Sequence, residues 1–203
     1  MKILVASGNP KKLRELQSLA EGLPVRIVGP AEVGGELPEV EEDGATFEAN
    51  AEKKALAFAR AFGMPAIADD SGICVDALGG EPGVRSARYS GAEPDPQRDA
   101  KNNAKLLRAL VDVPAARRSA RFVCALCLAF PDGRTHTVVG TWEGRIAFSP
   151  RGGGGFGYDP LFLLPHRGKT AAELEPEEKA RLSHRGAAMR KMREILEALG
   201  ERA

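Results

Sequence analysis

The chain has 203 residues, and its 29 lysines and arginines against 28 aspartates and glutamates leave a formal net charge of +1. That length supports one substantial core, and a single α/β domain over residues 1–203 with a lobe or insertion accounts for it better than two independent domains. The balanced charge excludes an overall field that would recruit nucleic acid or an anionic membrane, so any anion site has to be local.

The opening MKILVASGNP lacks a signal-peptide layout, and no run approaches the roughly 18 apolar residues of a membrane helix, so a soluble cytoplasmic protein is expected. KILVA (2–6) reads as a buried strand, after which Leu13, Leu16, Leu19 and Ala20 recur at helical spacing until Gly22 and Pro24. VRIV (25–28) is a second strand. Residues 32–44 form an acidic, glycine-containing loop leading to a helix from about Thr46, with Phe47, Ala51, Ala55, Phe58 and Phe62 on one stripe and Gly63 and Pro65 as its stop. PAIA is a short strand carrying Asp69 and Asp70, and GICVDAL reads as another. A helix is predicted from about Pro96 to Leu110, with Ala100, Asn103, Leu107 and Leu110 along one side. ARFVCALCLAF and THTVVGTWEGRIAF, joined by PDGR, predict a long antiparallel hairpin. From Ser183, as N-cap, a last helix carries Ala188, Met192, Ile195, Leu196 and Leu199, with Gly200 as its stop. Together these elements predict an α/β fold, a mixed sheet flanked by helices with a cleft bounded by the loops.

Cysteine adds little. Cys124 and Cys127 are spaced as C-x-x-C, but in a strand residues three apart face opposite sides and cannot chelate one ion, so they read, with Cys74, as small buried hydrophobes.

The chemistry lies in four loops and a helix start. In SGNPKK, Gly8 permits positive φ, Asn9 tolerates it and Pro10 suits a first helical position; amides there, with Lys11 and Lys12, would make an anion cradle. No Walker loop is present, and an ordinary strand-to-helix turn would use the same residues. EEDGATF puts Glu41, Glu42 and Asp43 before a helix, either to favour its dipole or to bind metal. In ADDSG, adjacent Asp69 and Asp70 would repel each other when ionised. A hard cation such as magnesium accounts for the pair, and so does a capped acidic turn. RGGGGFGYDP has five glycines within positions 152–157, which lets main chain approach a ligand beside the face of Phe156, or forms a flexible tip. His184 and Arg185 open a helix where cations oppose the dipole, so they call for an acceptor or anionic partner.

In combination these stretches resemble the Ham1-like inosine triphosphate pyrophosphatases, which hydrolyse non-standard purine nucleoside triphosphates. The similarity runs in order through SGNPKKLREL, EEDGATF, PAIADDSGICVDALGGEPGVRSARYSG, TWEGRI, GGFGYDPLF, GKTAAEL and EEKARLSHRG, over nearly the whole chain. It implies two lobes around a central cleft and a homodimer. It further implies that Ser7, Gly8, Asn9, Pro10, Lys11 and Lys12 hold the triphosphate, with Lys54 as a second phosphate ligand. Glu42 and Asp70 would bind Mg2+, Asp70 would also serve as proton acceptor, and Ser71 would contact substrate. Phe156, Gly157, Tyr158, Asp159, Lys179, His184 and Arg185 would surround the nucleobase and nearby phosphates. One departure is visible: the family's Glu-Asn-Ala before the helical lysine is altered here, since Ala49 precedes Asn50 and Glu48 is displaced by one.

The implied reaction is magnesium-dependent cleavage of ITP, dITP and XTP to the monophosphate and pyrophosphate, which cleanses the nucleotide pool. Donors fixed at the 6-keto oxygen by His184, Arg185 or loop amides would be left unpaired by adenine, a mismatch that can discriminate by about four orders of magnitude. The alternatives are a house-cleaning pyrophosphatase for modified pyrimidine nucleotides, and a nucleotide-binding protein without catalysis, which has little use for Glu42 together with Asp69 and Asp70.

Overall fold

A computed structural model of the chain describes residues 1–91 and 96–200. Strand β1 (Lys2–Val5) buries Ile3, Leu4 and Val5 in succession, the unbroken apolar pattern of a strand covered on both faces. Helix α1 (Pro10–Leu19) follows, then β2 (Arg26–Val28), the single turn α2 (Pro30–Val33) and the acidic loop. Helix α3 (Phe47–Phe62) is capped by Thr46, whose side chain accepts from the Ala49 amide, and stops at Gly63 with φ +60. Its buried stripe includes Asn50 beside Phe47, Ala51, Ala55, Phe58 and Ala59.

Strand β3 (Ala66–Val75) is a single strand of 10 residues where the sequence suggested two. Helix α4 (Arg98–Ala109) buries Asn102 and Leu106; of the stripe expected through Ala100, Asn103, Leu107 and Leu110, Leu110 is buried, Leu107 packs against the core and Ala100 is exposed. Asn102 is satisfied there by the Ser86 and Ala87 carbonyls and the Ser90 amide, so a polar residue takes a core position that apolar periodicity passes over. Strands β4 (Ser119–Ala129) and β5 (Thr135–Ile146) are joined by the turn at Phe130–Arg134 and are neighbours in the sheet, which makes them the expected antiparallel hairpin. The short elements β6 (Phe162–Leu164), β7 (Lys169–Thr170) and α5 (Pro176–Leu182) precede the final helix α6 (His184–Gly200).

The seven strands run in the order β2-β1-β3-β4-β5-β6-β7. β1 pairs in parallel with β2 and β3, whereas β6 is antiparallel to β5 and β7, so the sheet is mixed as expected. The chain leaves β1 toward one side and returns past it to β3 on the other. In open α/β sheets, ligands bind outside the carboxyl ends of strands at such a reversal.

Two compact units result. One comprises Met1–Asp70, Cys124–Gly140 and the residues from His184 onward, the other Ser71–Val123 and Thr141–Ser183. The first packs Ile3, Leu16 and Ile67 against Leu126, Met192 and Leu196. In the second, Phe122 lies 4.5 Å from Phe162, and Trp142 lies 5.2 Å from the same ring. No helix among the described residues is long and apolar enough to cross a membrane.

Candidate active site

The β1–β3 register pairs Val5 with Ile67, so the loop after β1 begins level with the two aspartates of β3. Successive side chains on a strand point to opposite faces, and Asp69 and Asp70 meet different partners accordingly. Asp69 is fully buried and accepts from Arg185 Nε at 2.7 Å, Lys12 Nζ at 2.5 Å and Cys124 Sγ at 3.1 Å. Burial alone pushes this carboxyl up, but the Arg185 guanidinium and the Lys12 ammonium outweigh it and hold Asp69 well below the ordinary range. The Cys124 thiol is pushed well up by burial and by the Asp69 charge, so it stays protonated and donates. Arg185 also pairs with Glu15. Although burial opposes its charge, Asp69 more than compensates and keeps it protonated.

Asp70 is only 6% exposed, and its Oδ2 is buried with no hydrogen-bond partner among the described residues. Burial pushes its carboxyl from 3.8 to about 6. Hydrogen bonding from Asn50 pulls the other way, the Glu42 charge pushes it further up, and Lys12 and Lys54 oppose both. Glu42 itself pairs with Lys54 of α3. A buried carboxylate oxygen with no donor, within the field of a second carboxylate, is what a hard divalent cation relieves. Magnesium takes one or two protein carboxylates and completes its shell with water and phosphate oxygens, so Glu42 and Asp70 fit it. No cluster of three or more His, Cys, Asp or Glu ligands occurs among the described residues.

The SGNPKK loop differs from the expected cradle of open amides. Ser7 Oγ accepts from the Asn9 amide, and Asn9 Oδ1 caps α1 by accepting from the amides of Lys11 and Lys12 at 2.9 and 3.4 Å. The capped turn places Lys12 beside Asp69, while Gly8, Pro10 and Lys11 are exposed. His184 is buried at the first position of α6. Gly140 of β5 makes that possible, because a Cβ there would lie 2.2 Å from the His184 carbonyl oxygen and 2.3 Å from the Ala188 amide. Thus Ser7, Asn9, Lys12, Glu42, Lys54, Asp70, His184 and Arg185 all belong to the first unit.

The second unit holds Ser71, which follows Asp70 along β3, together with Phe156, Gly157, Tyr158, Asp159 and Lys179. Asp159 Oδ2 accepts from the Phe156 amide at 2.8 Å and from Lys179 Nζ at 2.7 Å, and that ammonium lies 5.0 Å from the centre of the Phe156 ring. Gly155 has φ +71, and a Cβ on it would meet Asp159 Oδ2 at 2.0 Å, so this turn requires glycine. The Tyr158 hydroxyl, its ionisation pushed up by burial, donates to the Ser86 carbonyl at 2.8 Å.

Sequence reasoning did not assign roles to Glu15, Asn50 or Cys124. Asn50 had a signal, since it is the one polar residue among the buried stripe of α3. Cys124 had none, because in sequence it is indistinguishable from its apolar neighbours.

The sequence profile of the Ham1 family matches residues 3–195. A "dITP/XTP pyrophosphatase" of Anaeromyxobacter sp. strain Fw109-5 is 51% identical over 98% of each chain. One of the same name from Thermus thermophilus is 50% identical, covering 96% of this chain and 91% of its own. Among solved structures, a HAM1 protein from Coxiella burnetii superposes with a TM-score of 0.86 at 41% identity, over 97% of this chain and 98% of its own.

Proposed function

This chain belongs to the Ham1 family, and from that premise we propose that it is a pyrophosphatase cleaving non-standard purine nucleoside triphosphates, ITP, dITP and XTP, to the monophosphate and pyrophosphate. The observation that carries the proposal is Asp70, whose buried oxygen without a donor lies in the fields of Glu42, Lys12 and Lys54. Mg2+ held by Glu42 and Asp70 would offset triphosphate charge and polarise the phosphate oxygens.

The protein's own groups do the rest. Asp70, with its proton affinity raised toward neutrality, takes the proton from the water that attacks the α-phosphorus. The new phosphorus–oxygen bond forms as the bridging bond to the β-phosphate breaks, and pyrophosphate leaves. Lys12 and Lys54 offset its charge as it departs. Asp69 and Arg185 keep Lys12 in place, so this second aspartate acts through the lysine. Phe156 offers a stacking face, and the Tyr158 N–H offers a donor to a 6-keto edge. A homodimer and a cytoplasmic location complete the proposal, and sedimentation tests the first.

Pyrophosphate release from ITP, dITP, XTP, GTP and ATP, with and without magnesium, is the test. Equal rates on all five would overturn the base selection, and release indifferent to a chelator would overturn the metal role. Activity confined to modified pyrimidine nucleotides would favour the competing substrate class.

A further inference from the structure

Helix α4 grips the glycine loop at a single residue. Asp99 and Asn103 are four apart and share a face of the helix. Each takes one half of the Gly157 backbone: the Gly157 N–H donates to Asp99 Oδ2 at 2.8 Å, and Asn103 Nδ2 donates to the Gly157 carbonyl at 2.9 Å. Gly157 has φ +62, a conformation open to glycine at no steric cost. The two bonds fix the peptide planes on either side of it. Because a trans peptide sets its carbonyl and N–H in opposite directions, the first bond orients the Phe156 carbonyl and the second turns the Tyr158 N–H away from Asn103.

The grip comes at the fold's expense. Asn103 Oδ1 is buried and has no hydrogen-bond partner among the described residues, and an orphaned buried acceptor is destabilising. The one hydrogen bond this side chain makes goes to the loop at Gly157 and not to its own helix, so asparagine here serves the loop.

We propose that Asp99 and Asn103 are positioning residues for nucleobase recognition, setting the Phe156 ring and the Tyr158 N–H through Gly157; this rests on the assignment of Phe156–Asp159 to the nucleobase. Neither side chain is asked to touch the substrate.

The test combines kinetics, melting and amide hydrogen exchange on wild type, Asp99→Ala, Asp99→Asn, Asn103→Ala and Asn103→Leu. Loss of either bond should raise KM for ITP by about three- to tenfold, as one hydrogen bond implies, with kcat within about twofold. It should lower the ratio of kcat/KM for ITP over GTP and speed exchange of the Gly157 amide. Asp99→Asn should restore wild-type KM, since its amide oxygen accepts the same N–H. Asn103→Leu trades the orphaned Oδ1 for an orphaned Gly157 carbonyl and should melt within about 3 °C of wild type while its KM still rises, which a purely structural residue would not do. Unchanged exchange at Gly157 would overturn the grip itself. Faster exchange with unmoved KM, or KM changes that track loss of melting temperature, would overturn the positioning role. Wild-type protein that releases no pyrophosphate from ITP would instead overturn the assigned reaction, and the positioning role with it.

Discussion

Replacing Asp70 with asparagine should stabilise the protein, and only at higher pH. A carboxyl displaced from 3.8 to about 6 carries about 3 kcal/mol of differential interaction, at about 1.4 kcal/mol per tenfold in proton affinity. The folded state binds this proton more tightly than the unfolded chain does. The penalty is therefore absent below the unfolded value, grows as pH rises through the window from 3.8 to about 6, and is complete above it. Linkage puts it at about 1 kcal/mol at pH 4.5 and about 3 kcal/mol at pH 8. Asparagine keeps the shape and drops the charge, and carboxylates remote from Asp70 titrate alike in both proteins and cancel in the difference. Relative to wild type, Asp70→Asn should gain about 2 kcal/mol between those two pH values, or about 4–8 °C in Tm for a protein of this size.

Urea and thermal unfolding of both proteins in chelator-containing buffer measures that gain. A difference flat with pH, or one that turns toward wild type as pH rises, refutes the account of Asp70 as a charge whose burial outweighs Asn50, Lys12 and Lys54. Turnover in the variant should fall below detection while nucleotide binding persists. Magnesium at about 100 times its Kd should add about 2.7 kcal/mol to wild type and little to the variant.

Two further perturbations address the residues around it. Asn50→Ala removes a hydrogen bond that holds Asp70 down, worth about 1 kcal/mol, so the acid limb of kcat/KM should move up by as much as about one pH unit; a shift to lower pH contradicts this. Asp69→Ala leaves the buried Arg185 guanidinium with Glu15 and releases Lys12, and should cost about 3–5 kcal/mol in urea unfolding. A loss under about 1 kcal/mol would contradict the buried network.

Elements with enough turns to show a period were legible. The stripe through Phe47, Ala51, Ala55 and Phe58 recovers α3, and its stop at Gly63 is where the left-handed cap falls. β6, β7 and α5 were not, because two to seven residues are too few for a period to emerge. The stripe expected for α4 holds at Leu107 and Leu110 but passes over Asn102, which is buried by hydrogen bonds rather than hydrophobicity. In the SGNPKK loop Asn9 is the helix cap, so its side chain occupies the Lys11 and Lys12 amides that the sequence left open to an anion.

The DDSG stretch shows why composition and turn chemistry mislead where strand geometry does not. Two carboxylates, a serine and a glycine suggest either a turn or a shared metal site, and both suppose that the aspartates act together. Within β3 they cannot, since alternation sends neighbouring side chains to opposite faces. One face supplies Arg185, Lys12 and Cys124, which make Asp69 a permanent anion. The other leaves Asp70 with a raised proton affinity and an oxygen without a donor. Repulsion between the pair is thereby separated across the sheet, and Lys12 serves both, bonded to Asp69 and lowering Asp70 by its charge. A slip of β3 by one residue would exchange the two faces, putting Asp70 among Arg185, Lys12 and Cys124 and Asp69 on the face without a donor. Ile67 resists that slip, because of the run Ala66–Ala68 it alone packs with Ile3 and Leu16 in the first unit's core, and a shift by one would put an alanine there.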